Sequence, residues 1–301
     1  MSNTFKGTTL AIATPVLWGI MSIYVRQLSG LGVDSLASTF LRCILAGAVY
    51  IAVIVIGKAS KLKISLKAIA ICALYGIIAY GIGFTAYNIA VLRISVAVAT
   101  VIMGTTPAWV ILLNLLVFKE RPKAIQIAAV ALCLAGIVLV SGLLQMEDIK
   151  LDFVGILASL TNSLTMALQL VIPRKFEGYC SKDAFVAYGF LTASVVLIPF
   201  VDFNVFGGVA ASGHCGSFIF NAVMLGVMCT FVANGAFVKA ANYIDSTNVS
   251  LYAVLEVVVG IMVGCIVYDE LLSSVQVAGA IIIVIGATMS NVSDLRSRNA
   301  L

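Results

Sequence analysis

Two ionisable residues stand where only apolar side chains would be expected. Glu256 lies ten residues into an otherwise uncharged run over 246–268, and Arg42 lies about eight residues into a second such run over 35–57. An ionised side chain at the centre of a bilayer costs about 2.5–3.5 kcal/mol on insertion scales. Glu256 therefore needs a cation, a water-filled cavity or a proton. One chemistry makes it a proton acceptor or a counter-charge for an amino group. Another pairs it with Arg42, the only other charge at comparable depth, as a structural tie between two parts of the chain. Both readings stay open from these residues alone. Tyr252 and Gly260 fall on the face of Glu256, four residues before and after it.

Further polar and aromatic residues recur at helical spacing inside apolar runs. Trp18, Ser22 and Arg26 step by four, as do Tyr80, Phe84 and Asn88, with Tyr87 beside them. Met103, Pro107 and Asn114 share a face, and so do Asn162, Thr165 and Gln169. Thr230, Asn234 and Phe237 form another stripe, and Asn248, Tyr252 and Glu256 a sixth. In lipid, such side chains turn toward the bundle interior or a water-filled cavity. The expected substrate-binding set is Trp18, Tyr80, Phe84, Tyr87, Asn88, Met103, Asn162, Gln169, Asn234, Tyr252 and Glu256. For any one Asn or Thr the simpler role is a hydrogen bond between helices. Pro107 removes a backbone hydrogen bond and is expected to free the carbonyl of Met103 and kink its helix. Pro107 and Gly260 are the expected hinge positions.

The elements that must carry these residues are membrane spans. The chain is 62% apolar and 10% charged, with a mean hydropathy of +1.13. Soluble domains sit near 45–50% apolar and about 25% charged, so the excess must face lipid. A membrane helix needs about 20 apolar residues. Ten runs qualify, over 8–27, 35–57, 66–91, 95–118, 124–144, 153–173, 184–201, 216–241, 246–268 and 274–292; they are numbered spans 1 to 10. The connector near 202–215 is the longest and rich in Gly and Ser.

A stretch occurs twice at a separation of 150 residues: Glu120, Gln126 and Gly136 recur as Glu270, Gln276 and Gly286. The first connector, Lys119-Glu120-Arg121-Pro122-Lys123, is basic, and the second, Asp269-Glu270-Leu271, is acidic. With the N-terminus in the cytoplasm, fourteen Lys and Arg fall inside and three (Arg26, Arg93 and Lys150) outside, a strong positive-inside bias. Five spans per half is an odd number, so the second half enters the membrane in the opposite sense. The expected fold is all-α and integral to the membrane, with ten transmembrane helices in two inverted five-helix repeats, 1–146 and 147–301. Such repeats are a transporter architecture with the site near the midplane. Both termini are expected in the cytoplasm, in a cell (cytoplasmic) membrane protein.

Spans 5 and 10 lack polar stripes. They carry small residues at seven-residue spacing, Ala129/Gly136 and Gly279/Gly286, which allow close backbone approach. They read as scaffold or as a subunit contact, so a monomer and a homodimer through these helices are both expected possibilities. The seven cysteines form no CxxC pair, and His214, the only histidine, stands in the Gly/Ser-rich connector. No metal site or cofactor is expected.

Several of these elements resemble the EamA branch of the drug/metabolite transporter superfamily. They are Trp18-Gly19, Phe40-Leu41-Arg42, Pro107, Glu120-Arg121 followed by Gln126, and Leu255-Glu256 with Asp269-Glu270-Leu271-Leu272. The resemblance covers nearly the whole chain as two copies of the unit. It implies a central cavity lined by helices 1, 3, 4, 6, 8 and 9, with helices 5 and 10 as outer support. It also implies a transporter, since members mostly export amino acids and related metabolites while some import choline, nucleosides or other small molecules. The sequence departs from the family at Val257, where Pro commonly follows the Glu.

The expected function is secondary transport of small metabolites, amino acids or related compounds foremost and export favoured, with a proton as a possible coupling ion. The alternative is an importer of an organic cation, choline-like or a polyamine, boxed by the aromatic residues. A membrane-embedded enzyme is a remote third: the chain has no HExxH, GxSxG or Walker motif. The basic residues lie in short loops, so the net charge of +5 is no nucleic-acid footprint. The expected partners are a small-molecule substrate and the lipid bilayer.

Overall fold

The computed structural model describes residues 3–58, 64–94, 96–143, 152–179, 181–268 and 273–299. The expected repeat boundary at 146–147 lies outside the described residues, as do Lys61, Lys63, Glu147, Asp148, Lys150, Cys180, Asp269, Glu270 and Leu271. So do the side chains of Ser22, Lys58, Arg296 and Arg298. Among the described residues the chain is helical, with no strand.

Among the described residues, eight helical segments are long and apolar enough to cross a membrane: Asn3–Gly30, Ser35–Gly57, Leu66–Ala90, Val98–Phe118, Phe153–Lys175, Lys182–Phe200, Cys215–Ala240 and Ser246–Val267. Two shorter apolar helices, Ala124–Val140 and Ser274–Ser290, stand at the places of spans 5 and 10. Side chains close the exposed starts of several helices. Asp152 accepts from the Gly155 amide at 2.8 Å, Asp245 from Thr247 at 2.8 Å, and Ser181 from Ala184 at 3.2 Å. Such caps satisfy amide groups that have no partner within the helix.

The packing has a two-fold pattern. Span 1 lies against spans 8 and 9, and span 6 lies against spans 3 and 4. Span 2 lies against span 8, and span 7 against span 3. Each contact recurs with the halves exchanged, and spans 2 and 7, like spans 5 and 10, face their own mates. Two structural repeats related by a two-fold axis would pack in this way.

Spans 5 and 10 spend their small residues on each other. A Cβ on Gly136 would stand 2.8 Å from the Gly279 carbonyl oxygen, and one on Gly279 would stand 2.8 Å from that of Gly136. These faces are filled within the chain, so a homodimer through the two helices would have to use their other sides. The repeated Gln has a local reason. Gln126 accepts from the Lys123 amide and Gln276 from the Ser273 amide, both at 2.9 Å, so each closes the start of its own helix.

The spans are less regular than their hydropathy suggests. Span 3 contains a π-helix over Gly76–Ile82 and span 8 one over Met224–Val232, at corresponding places in the repeat. Span 4 is broken between Val96–Met103 and Thr106–Phe118, and span 9 between Ser246–Ala253 and Leu255–Tyr268. These breaks also correspond, although only span 4 has a proline there. Span 1 was expected as one helix over 8–27; it begins at Asn3 and divides into Asn3–Gly19 and Met21–Gly30. The Gly/Ser-rich connector holds a further helix, Asn204–Ala211, whose Val205, Phe206 and Val209 cover Leu28, Val33 and Leu197.

Candidate functional site

Arg42 and Glu256 do not form the ion pair expected as a tie. No oxygen of Glu256 lies within 4.0 Å of an Arg42 nitrogen. Arg42 is fixed instead by two other spans. Its Nε donates to Thr230 Oγ1 at 3.1 Å, and its guanidinium carbon stands 4.1 Å from the centre of the Phe84 ring. The Thr230 hydroxyl donates in turn to the Leu225 carbonyl at 2.8 Å, five residues back in the π-helix. Its proton is committed, so it faces Arg42 as an acceptor. The two terminal amino nitrogens of Arg42 make no hydrogen bond with a described residue.

Glu256 occupies the first turn of the half-helix Leu255–Tyr268. Negative charge is favoured there by the helix dipole, typically by about 0.3–1 kcal/mol. Among the described residues the carboxylate has no hydrogen bond and no ion pair. Arg42, Tyr87 and Glu256 each lie within the electrostatic reach of the other two. They come from spans 2, 3 and 9, and none is covered: Arg42 and Glu256 are half-buried, and Tyr87 is 41% exposed. The three groups are thus near one another and each partly exposed. Gly260, one turn beyond Glu256, has no atom within 4 Å of where a Cβ would stand. Phe84 joins this group through Arg42.

The remaining candidates are occupied elsewhere. The Asn88 amide donates to the Ser35 carbonyl at 3.2 Å and to Thr39 Oγ1 at 3.1 Å, tying span 3 to span 2. Met103 packs against the small core of Ala86, Ala90 and Ala158. Trp18, Tyr80, Asn162, Gln169, Asn234 and Tyr252 are all buried, so of the two expected places for the stripes, bundle interior or water-filled cavity, these side chains take the interior. Trp18 leans on Phe237, with ring centres 5.1 Å apart. Tyr80 stacks on Phe190 at 3.9 Å and shares a 2.9 Å hydroxyl contact with Tyr75. Asn162 donates to the Gly83 carbonyl at 2.9 Å and Gln169 to that of Ala79 at 3.5 Å. Both amides serve backbone oxygens in or beside the span-3 π-helix, where the usual helical pairing is displaced. Asn234 donates to the Thr230 carbonyl at 3.0 Å, and the side-chain oxygens of Gln169 and Asn234 remain buried without a partner among the described residues.

Pro107 does not leave the Met103 carbonyl free. Span 4 breaks before it, Pro107 enters the first turn of Thr106–Phe118 where its missing amide costs little, and Thr106 Oγ1 donates to the Met103 oxygen at 2.9 Å. The break is held by Ser163 of span 6, whose Oγ lies 2.9 Å from Thr105 Oγ1 and 3.2 Å from Thr106 Oγ1. Thr105 and Ser163 escape a sequence reading, because a hydroxyl in an apolar run gives little signal. Trp109 escapes it too: its indole nitrogen is buried with no partner among the described residues. Its position away from a membrane interface, where Trp gathers, is the clue that could have found it.

One end of the bundle is sealed. Residues 246–254 of span 9 are buried throughout, whereas 255–261 are all partly exposed. At the sealed end Arg174 grips Glu120 through two hydrogen bonds of 2.8 and 2.6 Å, which hold the Glu120 carboxyl below its usual range. Deeper in, Asn114 donates to Ser246 Oγ at 2.9 Å and Gln126 to Asp245 at 3.2 Å. Each of these joins the first half to the second. A cleft of about 440 Å³ lies here among Arg174, Glu177, Lys182, Asp183, Lys239 and Asn242. Its charges pair with one another, Lys239 with Asp183 at 3.1 Å and Lys182 with Asn242 and Glu177. It is a feature of the sealed rim, away from Arg42 and Glu256.

Residues 5–142 and 153–292 each match the EamA-like transporter family. An uncharacterized transporter of Archaeoglobus fulgidus is 22% identical over 285 residues, covering 93% of this chain and 96% of its own length. One of Clostridium kluyveri is 21% identical over 312 residues, with 98% and 96% covered. An Escherichia coli protein named "Probable amino-acid metabolite efflux pump" is 24% identical over 210 residues, 67% of this chain and 69% of that one. A solved crystal structure superposes with a TM-score of 0.75 over 96% of this chain and 98% of its own, at 19% identity, a likeness of fold. With the family pattern present in both halves, the chain belongs to the EamA-like transporter family.

Proposed function

We propose that this transporter moves small metabolites, amino acids or related compounds foremost, out of the cell by alternating access in the cytoplasmic membrane. The observation that carries the reading is the contrast along span 9. Its residues 246–254 are closed off, while Glu256 and the residues just beyond stay uncovered beside Arg42 and Tyr87. A mid-membrane site reachable from one side only is one of the two end states of such a cycle. The positive-inside bias supports a cytoplasmic sealed end, and with it an outward-facing state with both termini inside. Breaking the contacts of Glu120, Asn114 and Gln126 across the halves would open the other side. Glu256 would exchange a proton or meet a substrate cation during the cycle. The efflux function in the name of the Escherichia coli relative supports amino acids and export. An organic-cation importer fits less well, because Arg42 would share the space with the cation.

The test is flux from proteoliposomes loaded with labelled amino acids, with and without a pH gradient. Efflux above that of protein-free vesicles is expected. If no amino acid crosses faster with the protein than without it, the reading fails.

A further inference from the structure

We propose that Arg42 and Glu256 are the two ends of a receptor for a zwitterion, Arg42 taking a carboxylate and Glu256 an ammonium group of the same small molecule. This rests on the transporter reading above and names the chemistry of its substrate.

The argument begins with what each charge lacks. Arg42 is held by its Nε on Thr230 and by one face on Phe84. What it leaves open is the edge carrying the two terminal amino nitrogens. That edge is the part of a guanidinium that binds a carboxylate through two parallel hydrogen bonds. Had its role been to neutralise Glu256, direct contact would be the natural arrangement for two opposite charges placed this deep among apolar residues. Instead the two are coupled without touching. Glu256 receives no hydrogen bond from a described residue, so its side of the gap lacks a cationic donor.

A molecule that completes both ends must carry opposite charges a few bonds apart. An α-amino acid does. A quaternary amine or polyamine would leave the Arg42 edge unmatched, and a dicarboxylate would be repelled by Glu256. Tyr87, within the electrostatic reach of both charges and 41% exposed, adds a hydroxyl and a ring nearby, and the open space at Gly260 leaves room for the rest of the molecule.

The experiment measures binding to the purified full-length protein in nanodiscs by calorimetry. The twenty common amino acids are screened first. The tightest binder is then compared with its decarboxylated amine and its deaminated acid. Wild-type protein is expected to favour the intact amino acid at least tenfold over either analogue. Arg42→Gln should bring the amino acid-to-amine ratio near one, and Glu256→Gln should do the same for the amino acid-to-acid ratio. A merely structural role would weaken all three ligands together and leave both ratios unchanged. An amine that binds wild-type protein as tightly as its parent amino acid would overturn the zwitterion receptor while leaving transport intact. Binding of no amino acid would also overturn it. The transporter reading fails separately, on absence of flux. The wild-type comparison does not depend on whether the variants fold.

Discussion

Arg174 and Glu120 meet as a fork on a fork, Nη1 to Oε2 at 2.8 Å and Nη2 to Oε1 at 2.6 Å, across the two halves of the chain. The pair stands over Asn114–Ser246 and Gln126–Asp245 at the sealed end. It is well placed to bias opening and poorly placed to add much global stability, since both side chains are more than a third exposed or close to it. Exposed pairs are worth about 0–1 kcal/mol.

Glu120→Gln is therefore expected to change thermal stability little and conformational population more. About 1 kcal/mol is roughly a fivefold shift in a two-state ratio. Ser246, buried beneath the pair, is the reporter. In a cysteine-free background, Ser246→Cys should react with a membrane-impermeant thiol reagent up to about fivefold faster when Glu120→Gln is added. Equal rates would remove Glu120 from the seal.

The same pair sets a pH dependence. The hydrogen bonds from Arg174 lower the Glu120 pKa. A depressed carboxylate stabilises the folded state above its unfolded pKa, about 4.3, and that contribution is lost as pH falls through the lower folded value. The stability difference between wild type and Glu120→Gln should be constant from neutral pH down to about 4.3 and shrink below it. Nanodisc melting curves across this range check the sign; a difference that grows on acidification would contradict it.

Two glycines should respond in opposite ways. A Cβ on Gly76 would stand 2.1 Å from the Gly189 carbonyl oxygen, backbone on backbone. Gly76→Ala is expected to destabilise by about 1–3 kcal/mol or more, as overpacking does. Gly260 meets nothing within 4 Å, so Gly260→Ala should leave the melting temperature unchanged or slightly raised. If the open space at Gly260 is where substrate sits, that variant should raise KM for transport while the fold stays intact. Melting curves and flux from the same preparation separate the two effects.

Thr230 positions Arg42 without being charged. Thr230→Val keeps the shape, removes the acceptor for Arg42 Nε and leaves the Leu225 carbonyl without its hydroxyl donor. Unmade buried hydrogen bonds cost about 1–3 kcal/mol. Substrate affinity should fall about tenfold, as 1.4 kcal/mol is a factor of ten. Thr230→Ser should restore most of it, which a loss of packing alone would not allow.

The span pattern and the oddity of Glu256 were legible in the sequence because both are local. Twenty apolar residues announce a span whatever they pack against, and a carboxylate among them is conspicuous without knowledge of its neighbours. The stripes were legible only as periodicities. In span 3, Tyr80, Phe84 and Asn88 step by four, yet Tyr80 is sealed against Phe190, Phe84 carries Arg42, and Asn88 serves Ser35 and Thr39. The π-helix ending at Ile82 intervenes. A single inserted residue turns the following face by about 100°, so a spacing of four no longer marks one side.

By itself, then, the sequence determined the membrane class, the repeat of Glu120, Gln126 and Gly136, and the two charges placed deep among apolar residues. These follow from transfer energies and from positions counted along the chain. Tertiary structure decided which polar groups were already spent. Asn162 and Gln169 were drawn to the carbonyls of Gly83 and Ala79, partners that exist only because another span is irregular there. It also decided that Arg42 reaches Thr230, 188 residues away, rather than Glu256. A hydrogen bond has a range of about 3 Å. Which groups come within it depends on how helices cross and where they break, and no spacing in the sequence encodes that.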